Sequence, residues 1–343
     1  MKTLKNKKAL CIALLYALST NSTASALDHL REAMTYLPQE INYYEGIQTE
    51  ESKWQPFFAQ FVDIGEYRTI ERQMKHSKQA EGYNNKLFIR ISPLLMMNTN
   101  AMLFSEEKNW VKYLGVPQTH FPWTLGAGVG DSQLILWGFH NEAEAQQFFE
   151  RLPTEQGFVT KEAFPAILFG NNDMPTNLRE IINPFRLEED SPPAILFRQK
   201  NILYQSADIE TITNTQASKA NFSELPTVHI LLQGLQEYLT PLSDARLLQA
   251  SFFIPTSDLQ ATRQTYVELA QVAQEPGFLK LPEEEQINRI KEKYLNSGLP
   301  PYSVGVLVDI KMERQNGFII ALSYDDCTQA NAAVAILPQR WQE

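Results

Sequence analysis

Five histidines, two cysteines and forty acidic residues are the groups with which this 343-residue chain could do acid–base, nucleophilic or metal chemistry. Their spacing supports little of it. His140-Asn141-Glu142-Ala143-Glu144 puts an imidazole and two carboxylates close in sequence. His140 and Glu144 would share one face only if a helix already included His140, because ligands on a helix must stand three or four residues apart. His140-Asn141 reads instead as the polar cap before that helix. Acids in a first helical turn are expected from the helix dipole alone. His29, His76, His120 and His229 stand in no motif.

The acidic runs 188–190 and 283–285 hold adjacent carboxylates. Glycoside hydrolysis needs two carboxyl groups facing each other across roughly 5–10 Å, which one exposed helical turn does not provide. The chain has no G-x-S-x-G nucleophile elbow, no H-E-x-x-H helix and no G-x-x-x-x-G-K-[ST] phosphate loop. Gly126, Gly128 and Gly130 alternate in a short run just after Pro122-Trp123. The run lacks the dinucleotide spacing and leads into a strand, so a turn or bulged strand entry explains it. A pocket rim is the functional alternative, with Trp123 beside the glycines and His140 beyond the next strand. Trp123, Gly126, Gly128, Gly130 and His140 are the candidate ligand-binding residues. No catalytic residue, no metal and no cofactor is assigned.

The remaining aromatics (Trp54, Phe57, Phe58, Trp110, Trp137, Trp341, Tyr43 and Tyr44) read as core, with a sugar or peptide platform as the alternative. Cys327 follows Asp325-Asp326 in a helix's first turn, where the dipole would lower a thiol pKa and the two acids oppose it. It reads as a small buried residue.

Residues 1–26 read as a secretory signal. Lys2, Lys5, Lys7 and Lys8 precede the short apolar run 9–18, and Ala24-Ser25-Ala26 offers a cleavage site. Ten apolar residues are too few for a bilayer, which needs about 20. Cleavage after Ala26 removes four lysines and no acid, so the formal charge moves from −10 to −14 over 317 residues. That balance disfavours nucleic acid, which demands a basic face. Cys11 leaves with the signal and Cys327 remains alone, so the mature monomer has no internal disulfide. No later stretch suits a transmembrane span.

The elements follow from periodicity and punctuation. Residues 27–37 read as a helix stopped by Pro38. A strand over 41–44, a helix around Phe57, Phe58 and Phe61, a strand over 86–92 and a helix over 105–114 ending at Gly115 follow. The clearest unit is 131–152: strand, cap, Ala- and Phe-containing helix. A strand over 166–169 turns at Gly170-Asn171-Asn172, and 194–197 with 202–205 read as a hairpin. Residues 213–221 are polar and aperiodic and read as a linker, with 189–193 as second choice. A helix over 227–239, a strand over 247–254 and helices over 259–273 and 282–295 lead to a final hairpin. There Asn316-Gly317 is the turn signal between alternating Val304–Met312 and Phe318–Tyr324. An Ala-rich helix follows, packed through Ala330, Val334 and Leu337.

An offset of 185 aligns 131–152 with 316–337, strand, cap and helix alike; any strand–cap–helix unit would also give such matches. The expected fold class is α+β. Two domains, 27–221 and 222–343, would each be an antiparallel or mixed sheet with helices mainly on one face, a duplicated ferredoxin-like unit being one form of this. The functional expectation is an exported, periplasmic or extracellular, non-catalytic protein that binds an unknown envelope protein or small ligand. The alternatives are a periplasmic hydrolase with dispersed residues and a small-molecule or glycan receptor.

Overall fold

A computed structural model describes residues 24–39, 57–75, 107–128, 133–174, 183–186, 192–242, 245–253, 277, 280–282, 285–286, 302–312, 316–324 and 326–342. The expected elements at 41–44, 86–92 and 259–273, and most of 282–295, lie outside these residues.

The first helix, α1 (Ala24–Tyr36), carries Leu27, Leu30, Ala33 and Met34 at helical spacing, and all are buried. A strand β1 (Phe57–Asp63) runs directly into α2 (Ile64–Lys75), and α3 (Glu107–Leu114) ends at Gly115, whose φ is +70°. The hairpin β2 (Trp123–Ala127) and β3 (Leu134–Gly138) leads to α4 (Glu142–Glu155). Asn141 caps α4 by accepting from the Glu144 N–H. Strands β4 (Val159–Lys161), β5 (Phe164–Phe169), β6 (Ile195–Gln199) and β7 (Ile202–Ser206) come next. Helices α5 (Ile209–Ala217) and α6 (Pro226–Leu239) then precede β8 (Arg246–Phe253). The chain closes with β9 (Val304–Lys311), β10 (Asn316–Ser323) and α7 (Cys327–Gln342). Among the described residues, no helix is long and apolar enough to cross a membrane.

The ten strands among the described residues form one antiparallel sheet in the order β10-β9-β8-β1-β2-β3-β7-β6-β5-β4. The class is α+β, as expected. Among the described residues there is one sheet, not two. The central strands β1 and β8 come from either side of residue 221, and they pair along their edges, Phe61 opposite Ala250. Helices cover both faces rather than mainly one. On one face Phe61, Leu125, Leu136, Tyr204, Phe252 and Val306 meet the apolar sides of α1, α5 and α6. On the other, Ile135, Trp137 and Leu203 meet Ile64 of α2, Trp110 of α3 and Phe148 of α4, and Leu322 meets Ala330 and Ala333 of α7. Strands buried on both faces lose the simple in–out alternation. This is why Phe57, Phe58 and Phe61, which suggest a helix, lie in β1: Phe61 faces one core while its neighbour Gln60, also buried, belongs to the opposite face.

Four local expectations are corrected. The last hairpin forms, but Asn316 and Gly317 already pair with Lys311 and Ile310 inside the ladder. The connection is therefore 312–315, and Gly317 is not among the glycines with positive φ. In α7, Ala330 and Ala333 face the sheet while Val334 is 40% exposed; small side chains let that helix approach β10 closely. Cys327, the first residue of α7, is exposed rather than buried, because two helical turns separate it from exposed Val334 on the side away from Ala330 and Ala333. The polar stretch read as a linker is helical in its first part: α5 runs to Ala217 and buries Thr211, Ile212 and Thr215.

Candidate functional site

Of the expected ligand residues, the described ones, Trp123, Gly126, Gly128 and His140, do not line one pocket. Trp123 is fully buried, its ring 6.2 Å from Phe61. Its indole lies over Gly138, where a Cβ would stand 2.3 Å from the ring. Gly126 sits mid-strand between Gln60 and Ile135, Gly128 closes β2 with φ +81°, and Gly130 lies outside the described residues. The register of β2 on β3 places Gly128 and His140 at opposite ends of the hairpin. His140 is exposed and precedes the Asn141 cap, so it shares no helical face with Glu144, whose carboxylate accepts from the Asn141 amide at 2.7 Å. Among the described residues no three His, Cys, Asp or Glu side chains converge as metal ligands. His120 stands among Phe121, Phe139 and Phe148, with ring centroids 5.6, 5.5 and 6.1 Å away. Burial there pushes its imidazole pKa down.

Two constellations appear instead, and α1 carries both. In its first half, His29 Nδ1 lies 2.8 Å from Asp63 Oδ2 at the end of β1. The Asp63 side chain is 2% exposed and that of His29 is 32% exposed. The other Asp63 oxygen accepts the Glu66 backbone N–H at 2.7 Å, capping the start of α2. Arg246 at the start of β8 reaches Glu66 across 3.7 Å. The bond to Asp63 holds the His29 pKa above its ordinary value despite burial, with Glu32 and Asp28 adding to it. Burial pushes the Glu66 carboxyl up, and Arg246 opposes this. These groups are spent on one another: helix to strand, strand to helix, helix to strand.

The second half of α1 ends at a cleft of about 190 Å³. Its walls come from the end of α1 (Thr35, Tyr36), the β6–β7 turn (Gln199, Lys200), the end of α5 (Thr215) and the following segment through Asn221. The chain crosses itself beneath it: Phe222 N–H donates to Leu37 O at 2.7 Å and Gln39 N–H to Ala220 O at 3.1 Å. Glu32 and Tyr36, one helical turn apart, both bond Asn201 in the β6–β7 turn, at 2.9 and 3.3 Å. Lys200 is the one non-glycine among the described residues with positive φ, at 53°. That conformation costs about 1–2 kcal/mol for a residue with a Cβ. Strain of this kind gathers at working sites. Lys200 and Lys219 line the cleft and Asp or Glu does not, although the chain carries net charge −10.

The sequence reading missed these residues. The polar stretch 213–221 signals them, but polar and aperiodic residues line a cleft and a linker equally well. Lys200-Asn201, in place of the Asn-Gly or Asp-Gly that a two-residue turn favours, is the other trace. No protein-family model, curated protein or solved structure matches this chain.

Proposed function

We propose that this chain is an exported, non-catalytic binding protein that takes a small polar ligand in the cleft at the end of α1. The convergence of Thr35, Tyr36, Lys200, Thr215, Ser218, Lys219 and Asn221 from four chain segments on one concave surface carries this reading. Concave sites with a few converging polar groups are where small ligands bind. The basic n-region, short apolar run and small-residue site of residues 1–26 support export, and cleavage after Ala26 would leave α1 starting at Leu27. Thermal melts of the mature chain against a panel of sugars, polyols, amino acids and organic acids test the binding. A ligand that binds only the folded state raises the melting temperature with concentration. At least one compound is expected to do so, with the shift lost in Ser218→Ala. A panel without effect, or a shift unchanged in that variant, overturns the proposal. Intact mass of material from the native envelope tests the export, with a chain beginning at Leu27 expected.

The order β10-β9-β8-β1-β2-β3 supports a duplicated architecture within this protein. It reads the same from both ends if β1, β2 and β3 correspond to β8, β9 and β10. The helices before these sets, α1 and α6, pack on one face; the helices after them, α4 and α7, pack on the other. In this reading the aligned segments 131–152 and 316–337 are the corresponding β3–α4 and β10–α7, and β4 to β7 with α5 are an addition that supplies two walls of the cleft.

A second reading, a hydrolase, is favoured by the His29–Asp63 pair, in which a buried carboxylate orients a partly exposed imidazole. Hydrolysis of an ester or glycoside substrate lost in His29→Ala would support it.

A further inference from the structure

We infer that the cleft ligand is a neutral polyhydroxyl ring, a single saccharide unit, rather than a free anion; this rests on the cleft being the binding site. The lysines alone suggest an anion, but the rest of the lining argues for a donor-rich ligand. The hydroxyl protons are committed inside the protein. Thr35 Oγ1 donates to Glu32 O at 2.7 Å, Thr215 Oγ1 to Thr211 O at 2.7 Å and Ser218 Oγ to Ala220 O at 2.9 Å. Tyr36 Oη donates to Asn201 at 3.3 Å, and the Asn221 amide donates to Glu224 at 2.8 Å. A hydroxyl whose proton is spent still has lone pairs. What the hydroxyls of Thr35, Tyr36, Thr215 and Ser218 offer a ligand is acceptance; Asn221 Oδ1 already accepts from Ser223, and its amide keeps a second N–H.

The helix ends add to this. Both α1 and α5 finish at the cleft, at Tyr36 and Ala217. The last carbonyls of a helix lack intrahelical partners, and that end carries partial negative charge. Two such ends repel a carboxylate or phosphate, and carbonyls already bonded there, such as Tyr36 O accepting from Tyr204 Oη, keep a second lone pair for a ligand proton. They also account for Lys200 and Lys219, since cations are favoured beside helix C-termini. Among the described residues neither lysine has a carboxylate within ion-pair distance, so both ammonium groups remain as donors.

The lining therefore combines several acceptors with the two ammonium groups and the Asn221 amide as donors. A sugar ring matches it, because each hydroxyl both donates and accepts and the ring brings no charge. The cleft's 190 Å³ lies below the roughly 300–1,000 Å³ of sites for drug-sized ligands, which fits one ring. The partly buried ring of Tyr36 supplies an aromatic wall, against which the apolar face of a sugar can lie.

Isothermal titration calorimetry on the mature chain tests this with matched probes: glucose, galactose and mannose as neutral rings, glucuronate and galacturonate as rings of the same kind with a carboxylate, and inorganic phosphate. At least one neutral hexose is expected to bind more tightly than its uronate and than phosphate. Thr215→Val keeps the shape and removes the acceptor, and should weaken the hexose about fivefold, the value of one hydrogen bond. Ser218→Ala is the check should Thr215→Val lose its fold. If uronates or phosphate bind and hexoses do not, and Lys200→Gln with Lys219→Gln abolishes that binding, the cleft remains the site and the saccharide assignment falls. If no probe binds, or binding survives all four substitutions, the saccharide assignment falls, and the binding panel above then decides whether the cleft itself survives.

Discussion

The two ends of α1 use polar groups in opposite ways. At His29 the polar atoms are closed on one another: imidazole to Asp63, Asp63 to the first turn of α2, Glu66 to Arg246. At Tyr36, about 10 Å further along at 1.5 Å per residue, the protons are spent but lone pairs and two ammonium groups remain. The first arrangement fastens secondary structure and the second can receive a molecule. Both are clusters of polar side chains at one end of a sheet; capacity left unspent is what separates a site from a clasp.

Substitutions should separate them on two axes, stability and binding. Asp63→Ala should have the largest effect, about 2–3 kcal/mol, since it removes the cap of α2 and the partner of His29 together. Urea unfolding monitors it, and a change below about 0.5 kcal/mol would deny Asp63 its clasp role. Gly138→Ala follows at about 1–3 kcal/mol, because a Cβ would overlap the Trp123 indole and overpack the core. An unaffected Gly138→Ala would mean that Trp123 is free to move, reopening its candidacy at a pocket rim.

His29→Ala should cost about 1 kcal/mol, and only at low pH. The folded pKa of His29 is raised above the unfolded value near 6.5, so its contribution is complete below about pH 6.5 and is lost as pH rises through the folded value. Melts of both proteins at pH 5.5 and pH 9 should therefore differ more at the lower pH, and a larger gap at pH 9 would contradict the pairing. Lys200→Gly should have the smallest effect on stability, within about 0.5 kcal/mol, because relief of a positive φ offsets the added freedom of glycine. It should nevertheless weaken ligand binding. Loss of stability without loss of binding would move Lys200 from the site to the clasp side of the comparison.

Much of the local structure was legible. The run Leu27, Leu30, Ala33, Met34 announces α1, Asn141 announces the cap of α4, and the alternation from Val304 announces β9. Legibility failed where local signals have two physical readings. Asn316-Gly317 favours a tight turn, but the pairing of Gly317 with Ile310 puts both residues in the ladder and the connection before Asn316. Phe57, Phe58 and Phe61 fit a helical stripe until both faces of β1 are covered. The candidate site fared worse: Trp123 beside glycines looks like a rim, and only the packing of Phe61 and Gly138 around it makes it core.

By itself the sequence determined the class and elements such as α1, α4 and β9, because apolar periodicity, caps and breakers act over a few residues and need no partner. It also determined the charge balance and the number of cysteines, which are counts. Tertiary structure alone decided that β1 and β8 join all ten strands into one sheet, because edge pairing depends on backbone groups that every strand carries alike. It alone decided which polar groups face each other. His29 and Asp63 lie 34 residues apart, and Tyr36 and Asn201 lie 165 apart. Hydrogen bonds at that separation leave no local mark, since either residue would be equally at home facing water.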